Sequence, residues 1–98
     1  MKIRTEIQSP IGMIINVETY TGERLRGKIL DWIPAGVAPS KADMKRFYGE
    51  GWETKACKGA YRPLKNDRVL FVNEYNGHHI VQPLVEHSAY YDIWLEDK

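Results

Sequence analysis

Apolar and polar positions alternate from Met13 to Thr19, placing Ile15, Val17 and Thr19 on one face and Ile14, Asn16, Glu18 and Tyr20 on the other. A period of two predicts a half-buried strand, and Thr21-Gly22 marks the turn that ends it. Arg24–Ile33 resumes the alternation. Leu25, Gly27 and Ile29 face inward, with Arg24, Arg26, Lys28, Leu30 and Trp32 on the opposite face. Gly27 inside a strand predicts a bend, a bulge or the close approach of another backbone. Upstream, residues 3–8 read as a short strand or an arm, interrupted by Ser9-Pro10.

The plainest signal is Arg68–Val85, where two apolar runs flank Asn76-Gly77. Such a dipeptide predicts a hairpin with a two-residue type I′ turn, which needs positive φ at both central positions. That turn sets Tyr75 opposite His78, Asn73 opposite Ile80, Phe71 opposite Gln82 and Val69 opposite Leu84. Pro83 withholds a ladder donor, so its strand lies at an edge or ends there. After a connector at Glu86–Ala89, Tyr90–Leu95 alternates as a last strand, with Tyr91, Ile93 and Leu95 opposite Tyr90, Asp92 and Trp94.

Between Pro34 and Asn66 the strand pattern lapses. Ser40 is placed to cap a helix over Lys41–Tyr48, with Asp43 in its first turn, Met44, Phe47 and Tyr48 on one side, and Gly49 as the stop. The stretch that follows is rich in Gly and Lys, with Trp52 and Tyr61 set between charges. A connection this long inside a small domain is commonly functional or partly disordered.

At 98 residues, 43% hydrophobic and 28% charged, the chain is expected to form one globular domain (1–98) whose core needs no disulfide or metal. Cys57 is alone, which favours a reducing compartment, and no apolar stretch reaches signal-peptide or membrane-spanning length. A soluble cytoplasmic protein is expected. The net charge of +1 argues against a nucleic-acid binder that is basic all over, but the distribution is uneven. Residues 34–65 hold seven Lys/Arg against three Asp/Glu, whereas 86–98 hold four acids against one Lys.

The order strand, tight turn, strand, long insertion, strand, Asn-Gly turn, strand, connector, strand resembles an SH3-like small barrel. Two stretches, GERLRGKIL and RVLFVNEYNGHHIVQPL, resemble the second strand and the third and fourth strands of the Tudor and chromo-type branch. The resemblance as a whole covers about half of the chain, and the two stretches themselves 26 of its 98 residues. The resemblance implies an all-β barrel of five strands with a helical or irregular insertion (34–66) between the second and third. It also implies an aromatic cage for methylated Lys or Arg, with Tyr75 at one cage position and Glu74 as its acidic neighbour. The 34–66 insertion has no counterpart in the simple Tudor domain. RGKILDW is distantly similar to a strand of the plasmid-borne type II dihydrofolate reductases, but Ile80-Val81-Gln82-Pro83 lacks the Tyr of their active-site stretch.

Catalytic and metal signatures do not emerge. His78 and His79 are adjacent and point to opposite faces of a strand, His87 lies beyond a proline, and Cys57 sits in the insertion, so metal-ligand spacing is missing. Ser40, Ser88 and Cys57 have no base that the sequence places beside them. The expected activity is therefore non-enzymatic, without a cofactor. Arg24, Arg26 and Lys28 recur at alternate positions with Trp32 at the end of the row, a pattern that suits phosphates and a stacked ring. Phe47, Tyr48, Trp52 and Tyr61 repeat the mixture among the cations of the insertion. The chain is thus expected to bind an anionic ligand, nucleic acid or a nucleotide-type molecule, through this strand face and the insertion. The alternative is a protein-interaction or inhibitor module, of the kind small phage proteins use against host defences. Three Trp and six Tyr in so small a chain also predict self-association through open strand edges.

Overall fold

The computed structural model describes residues 9–85 and 90–96. Its strands are β1 (Ile14–Thr19), β2 (Arg24–Ile33), β3 (Arg68–Asn73), β4 (His79–Pro83) and β5 (Tyr91–Glu96), and helix α1 (Lys41–Tyr48) lies between β2 and β3. The strands form one antiparallel sheet in the order β4-β3-β2-β1-β5. This is an all-β, SH3-like five-stranded arrangement with a helical insertion after the second strand. The predicted strand at 3–8 and the connector at 86–89 lie outside the described residues.

Alternation puts Ile15 and Val17 of β1, Ile29 of β2, Val69 and Phe71 of β3, and Ile93 and Leu95 of β5 on one face, where they close on Leu84 as the main core. The opposite face of β3 offers Leu70. It joins Ile33 and Phe47 in a second cluster, flanked by Tyr48 and Val81. Helix α1 therefore covers one end of the outer face of the sheet while the inner face forms the barrel core. Burying both faces of β3 explains its unbroken apolar run.

Two features of the sheet differ from the sequence expectation. Pairing of β2 with β3 runs Ile29↔Phe71 and then Asp31↔Leu70, so Leu30 is an unpaired bulge residue. One extra residue reverses the alternation of everything after it. Asp31 and Ile33 consequently share the face that Arg24, Arg26 and Lys28 occupy earlier in the strand, and Trp32 packs against the main core. Trp32 is not at the end of the basic row.

The hairpin loop is also longer than the Asn-Gly signal predicts. Phe71 pairs with Ile80 and Val69 with Gln82, a register displaced by two residues. Positive φ occurs at Gly77 (74°) and at no non-glycine residue described, so Asn76 does not adopt the conformation that a type I′ turn requires. Residues 74–77 instead make a longer loop closed by Asn73 N–H donating to the His78 carbonyl (2.8 Å). Asn side chains stabilise this loop: Asn73 Oδ1 accepts from Tyr75 N–H (3.1 Å) and Asn76 Oδ1 from His78 N–H (2.9 Å). A displacement by two leaves every side chain on its predicted face.

Candidate functional site

The basic row on β2 is built as expected but is not open. Glu18 lies opposite Arg24 on β1 and pairs with it at 3.2 Å. Arg26 reaches two carboxylates, Glu74 at 2.8 Å and Glu96 at 3.4 Å. These hydrogen bonds, that to Glu74 first, raise the already high pKa of its guanidinium. Asn16 also donates to Glu96, and that bond, followed by the one from Arg26, holds the Glu96 carboxyl below its ordinary range. Lys28 alone of the row makes no ion pair among the described residues. Trp32 donates its indole N–H to Asp67 Oδ2 at 2.9 Å, an anchoring bond on the core side. The strand face is largely neutralised by its own acids.

The insertion is ordered by caps and by one buried cation. Ser40 and Asp43 form a reciprocal capping box at the start of α1. Hydrogen bonding from the Ser40 backbone, with Arg46 helping, lowers the Asp43 pKa. Arg46 bridges Asp43 and Asp31 (2.7 Å), which fastens α1 to β2. Phe47 is buried in the second cluster with the Tyr48 ring tilted against it, centroids 6.3 Å apart. Trp52, in the 3₁₀ turn Trp52–Thr54, is buried and meets Tyr61 edge-on, with centroids 5.1 Å apart and planes at 63°. Phe47 and Trp52, both singled out as ligand contacts, are thus packing residues.

Arg68 is the residue that sequence reasoning overlooks. It opens β3, is only 2% exposed, and has no carboxylate partner among the described residues. Its Nη1 donates to the Ala60 carbonyl (2.8 Å) and to Tyr48 Oη (3.2 Å), and its Nη2 donates to the Arg62 carbonyl (2.9 Å). Nε has no partner. The adjacent Asp67, also buried, accepts from Ala35 N–H at 2.7 Å as well as from Trp32. The signal available in the sequence was an acid-base dipeptide, Asp67-Arg68, immediately before an apolar run.

No family model matches the chain, and no curated protein or solved structure does either. The site therefore rests on its own geometry.

Cations outside ion pairs concentrate in the insertion. Lys45 pairs with Glu50 (2.7 Å), a contact that raises its pKa, and Arg46 is held as described. Lys41, Lys55, Lys58, Arg62 and Lys65 are exposed and make no ion pair among the described residues. Arg62 uses its Nε to donate to the Gly59 carbonyl (2.9 Å). Between α1 and the turn at Gly51–Glu53 lies a cleft of about 250 Å³ whose lining includes Lys41, Lys45, Glu50 and Trp52. Both charges are represented there, and Lys45 and Glu50 already satisfy one another.

Tyr75 lies on the hairpin loop, exposed, with Glu74 engaged by Arg26. The ring contacts found among the described residues are Phe47–Tyr48 and Trp52–Tyr61, so Tyr75 has no second ring beside it. His78 and His79 are exposed, and no group of three or more His, Cys, Asp or Glu among the described residues is placed to hold a metal ion. Cys57 Sγ lies 3.9 Å from the Trp52 carbonyl, and Ser40 is occupied as a helix cap. His87 and Ser88 fall outside the described residues.

Proposed function

We propose that this protein is a non-enzymatic binding module that takes an anionic, phosphate-bearing partner on the outer surface of its 34–66 insertion. One observation carries the reading. Arg24 and Arg26 on the strand face are paired with acids, whereas Lys41, Lys55, Lys58, Arg62 and Lys65 of the insertion are exposed without an ion pair among the described residues. An unpaired exposed cation exchanges mobile counterions for a phosphate at little cost, while a paired one must first give up its carboxylate. Of the two parts of the expected site, the strand face and the insertion, neutralisation of the first favours the second.

The test compares Lys55→Ala/Lys58→Ala with Arg24→Ala/Arg26→Ala, titrating each with inorganic polyphosphate at increasing salt. Loss of affinity and of salt dependence in the lysine pair, with the arginine pair near wild type, supports the reading. Equal binding by the lysine pair, or none by wild type, removes it.

A second reading, protein interaction, draws on the other end of the barrel. Tyr20 (85% exposed), Tyr90 (75%) and Tyr75 (58%) are the most exposed large apolar side chains described. They sit on the β1–β2 turn, before β5 and on the β3–β4 loop; Tyr20 N–H donates to the Tyr90 carbonyl at 2.7 Å. Tyrosines on turns suit protein contacts, since they offer large area at low entropic cost. Under this reading Tyr20→Ser and Tyr90→Ser abolish partner binding and leave the polyphosphate titration unchanged.

A further inference from the structure

We propose that the anionic partner is a single-stranded nucleic acid laid along a column formed by Lys55, Lys58 and Tyr61, with a base stacked on Tyr61. This rests on the insertion being the anionic site. It adds the class of ligand and the residue that reads its bases.

The column follows from the 3₁₀ geometry of Ala56–Ala60. Lys58 N–H donates to the Lys55 carbonyl (3.1 Å) and Tyr61 N–H to the Lys58 carbonyl (3.0 Å), so two successive i→i+3 bonds join the three residues. Three residues complete one 3₁₀ turn, and residues at that spacing eclipse one another at a rise of about 2 Å per residue. With Lys55 and Tyr61 as the N- and C-cap residues of the turn, the three α-carbons therefore follow one another at intervals of roughly 6 Å along one side of it. All three side chains are exposed. Two cations and a ring in line can engage successive backbone phosphates and one base.

Tyr61 is held to receive that base. The residue is 44% exposed, yet its ring meets the buried Trp52 edge-on. In an edge-to-face pair, whichever ring supplies the edge, Trp52 covers at most one face of Tyr61 and so leaves the other to a base. The backbone on both sides is pinned as well, because Arg68 donates to the carbonyls of Ala60 and Arg62, the residues that bracket Tyr61. A ring that is already immobile loses little entropy when a base stacks on it. Inorganic phosphate would have no use for this aromatic position, and a mononucleotide lacks the succession of backbone phosphates that two lysines in a column meet. A duplex keeps its bases stacked on each other, out of reach of a surface ring. An unpaired strand suits both halves of the column.

The test is fluorescence anisotropy with a labelled oligothymidylate of about twelve nucleotides. A blunt duplex of the same length and inorganic polyphosphate serve as comparison probes. Tyr61→Ala is expected to weaken oligothymidylate binding roughly tenfold, Tyr61→Phe to keep it, and polyphosphate binding to be unchanged in both. Each of Lys55→Ala and Lys58→Ala is expected to reduce the log–log salt slope by about 0.7, the value for single strands. Tyr61→Phe retains the ring, so it separates lost stacking from a disturbed insertion. If Tyr61→Ala binds oligothymidylate as wild type does, or the duplex binds more tightly than the single strand, the inference is wrong while the anionic-site reading survives. If neither polyphosphate nor oligothymidylate binds, both fall.

Discussion

Gly27 of β2 lies so close to β3 that a Cβ built on it would stand 1.8 Å from the carbonyl oxygen of Val72. The nearest side-chain atom, from Phe71, would be 2.9 Å away. The obstacle is backbone, so no change of rotamer relieves it. Gly27→Ala is expected to lower stability by about 3 kcal/mol, the upper end of ordinary overpacking, because β2 and β3 must separate. Urea denaturation measures it. A variant as stable as wild type would mean the two strands are not apposed at this point.

Trp32 provides the second prediction, since the bulge at Leu30 turns it inward. Trp32→Phe keeps most of the packing and removes the indole N–H that Asp67 accepts. The expected cost is about 1.5–3 kcal/mol, as for a hydrogen bond to a charged group. Polyphosphate affinity should not change. A stable Trp32→Phe variant with weakened polyphosphate binding would return Trp32 to the ligand site.

Where one physical rule governs a segment, the sequence was a sufficient guide. The period of two located β2 to the residue, and Ser40, Asp43 and Gly49 marked both ends of α1 because caps act locally. The bulge was not legible in this way. Gly27 marks the close approach to Val72, one of the outcomes expected of it, whereas the unpaired residue is Leu30, an ordinary strand residue that carries no signal. The Asn-Gly signal likewise identified a hairpin and missed its loop length, which Asn73 and Asn76 set through their side chains. Ion pairs such as Arg26–Glu96 join distant parts of the chain, so a row of cations read along one strand carried no sign of its acids. Arg68 was hidden for the same reason: besides the Tyr48 hydroxyl its partners are backbone carbonyls, which no residue letter reveals.

Acid should loosen α1 before it affects the sheet. The Asp43 carboxyl titrates below its ordinary value because Ser40 and Arg46 stabilise its charged form. The stabilisation is therefore fully present above the unfolded pKa, near 3.8, and is lost as pH falls through the lower folded value. Asp43→Ala removes the carboxylate half of the cap at neutral pH, at a cost of roughly 0.3–1 kcal/mol, and leaves less to be lost on acidification. Urea midpoints of wild type and Asp43→Ala, measured near pH 7 and again near pH 3, should converge in acid. A constant difference between them would show that Asp43 does not take part in the cap.

Arg68→Ala should release the insertion while leaving the barrel folded. With the bonds to Ala60 and Arg62 gone, hydrogen exchange at the Tyr61 amide is expected to accelerate at least about tenfold, with Val17 and Ile93 unchanged. Lysine at this position should not restore protection, because one ammonium lacks the planar fork that spans two carbonyls. Uniform acceleration through the sheet would instead make Arg68 a general support of the fold.

The neck of the insertion has a bearing on how such a chain can diversify. Ala35 is tied to Asp67, Gly36 N–H donates to the Leu64 carbonyl at 2.9 Å, and Arg68 grips Ala60 and Arg62, so entrance and exit are fastened together at the edge of the barrel. Loop-closure entropy grows only logarithmically with length, and once the neck is closed, added or deleted residues beyond it alter that entropy little. Between Gly49 and Gly59 the chain can change length and recognition chemistry while the strand pairing stays the same. The barrel thereby acts as a socket and this stretch as an interchangeable fitting, with Asp67 and Arg68 as the clasp.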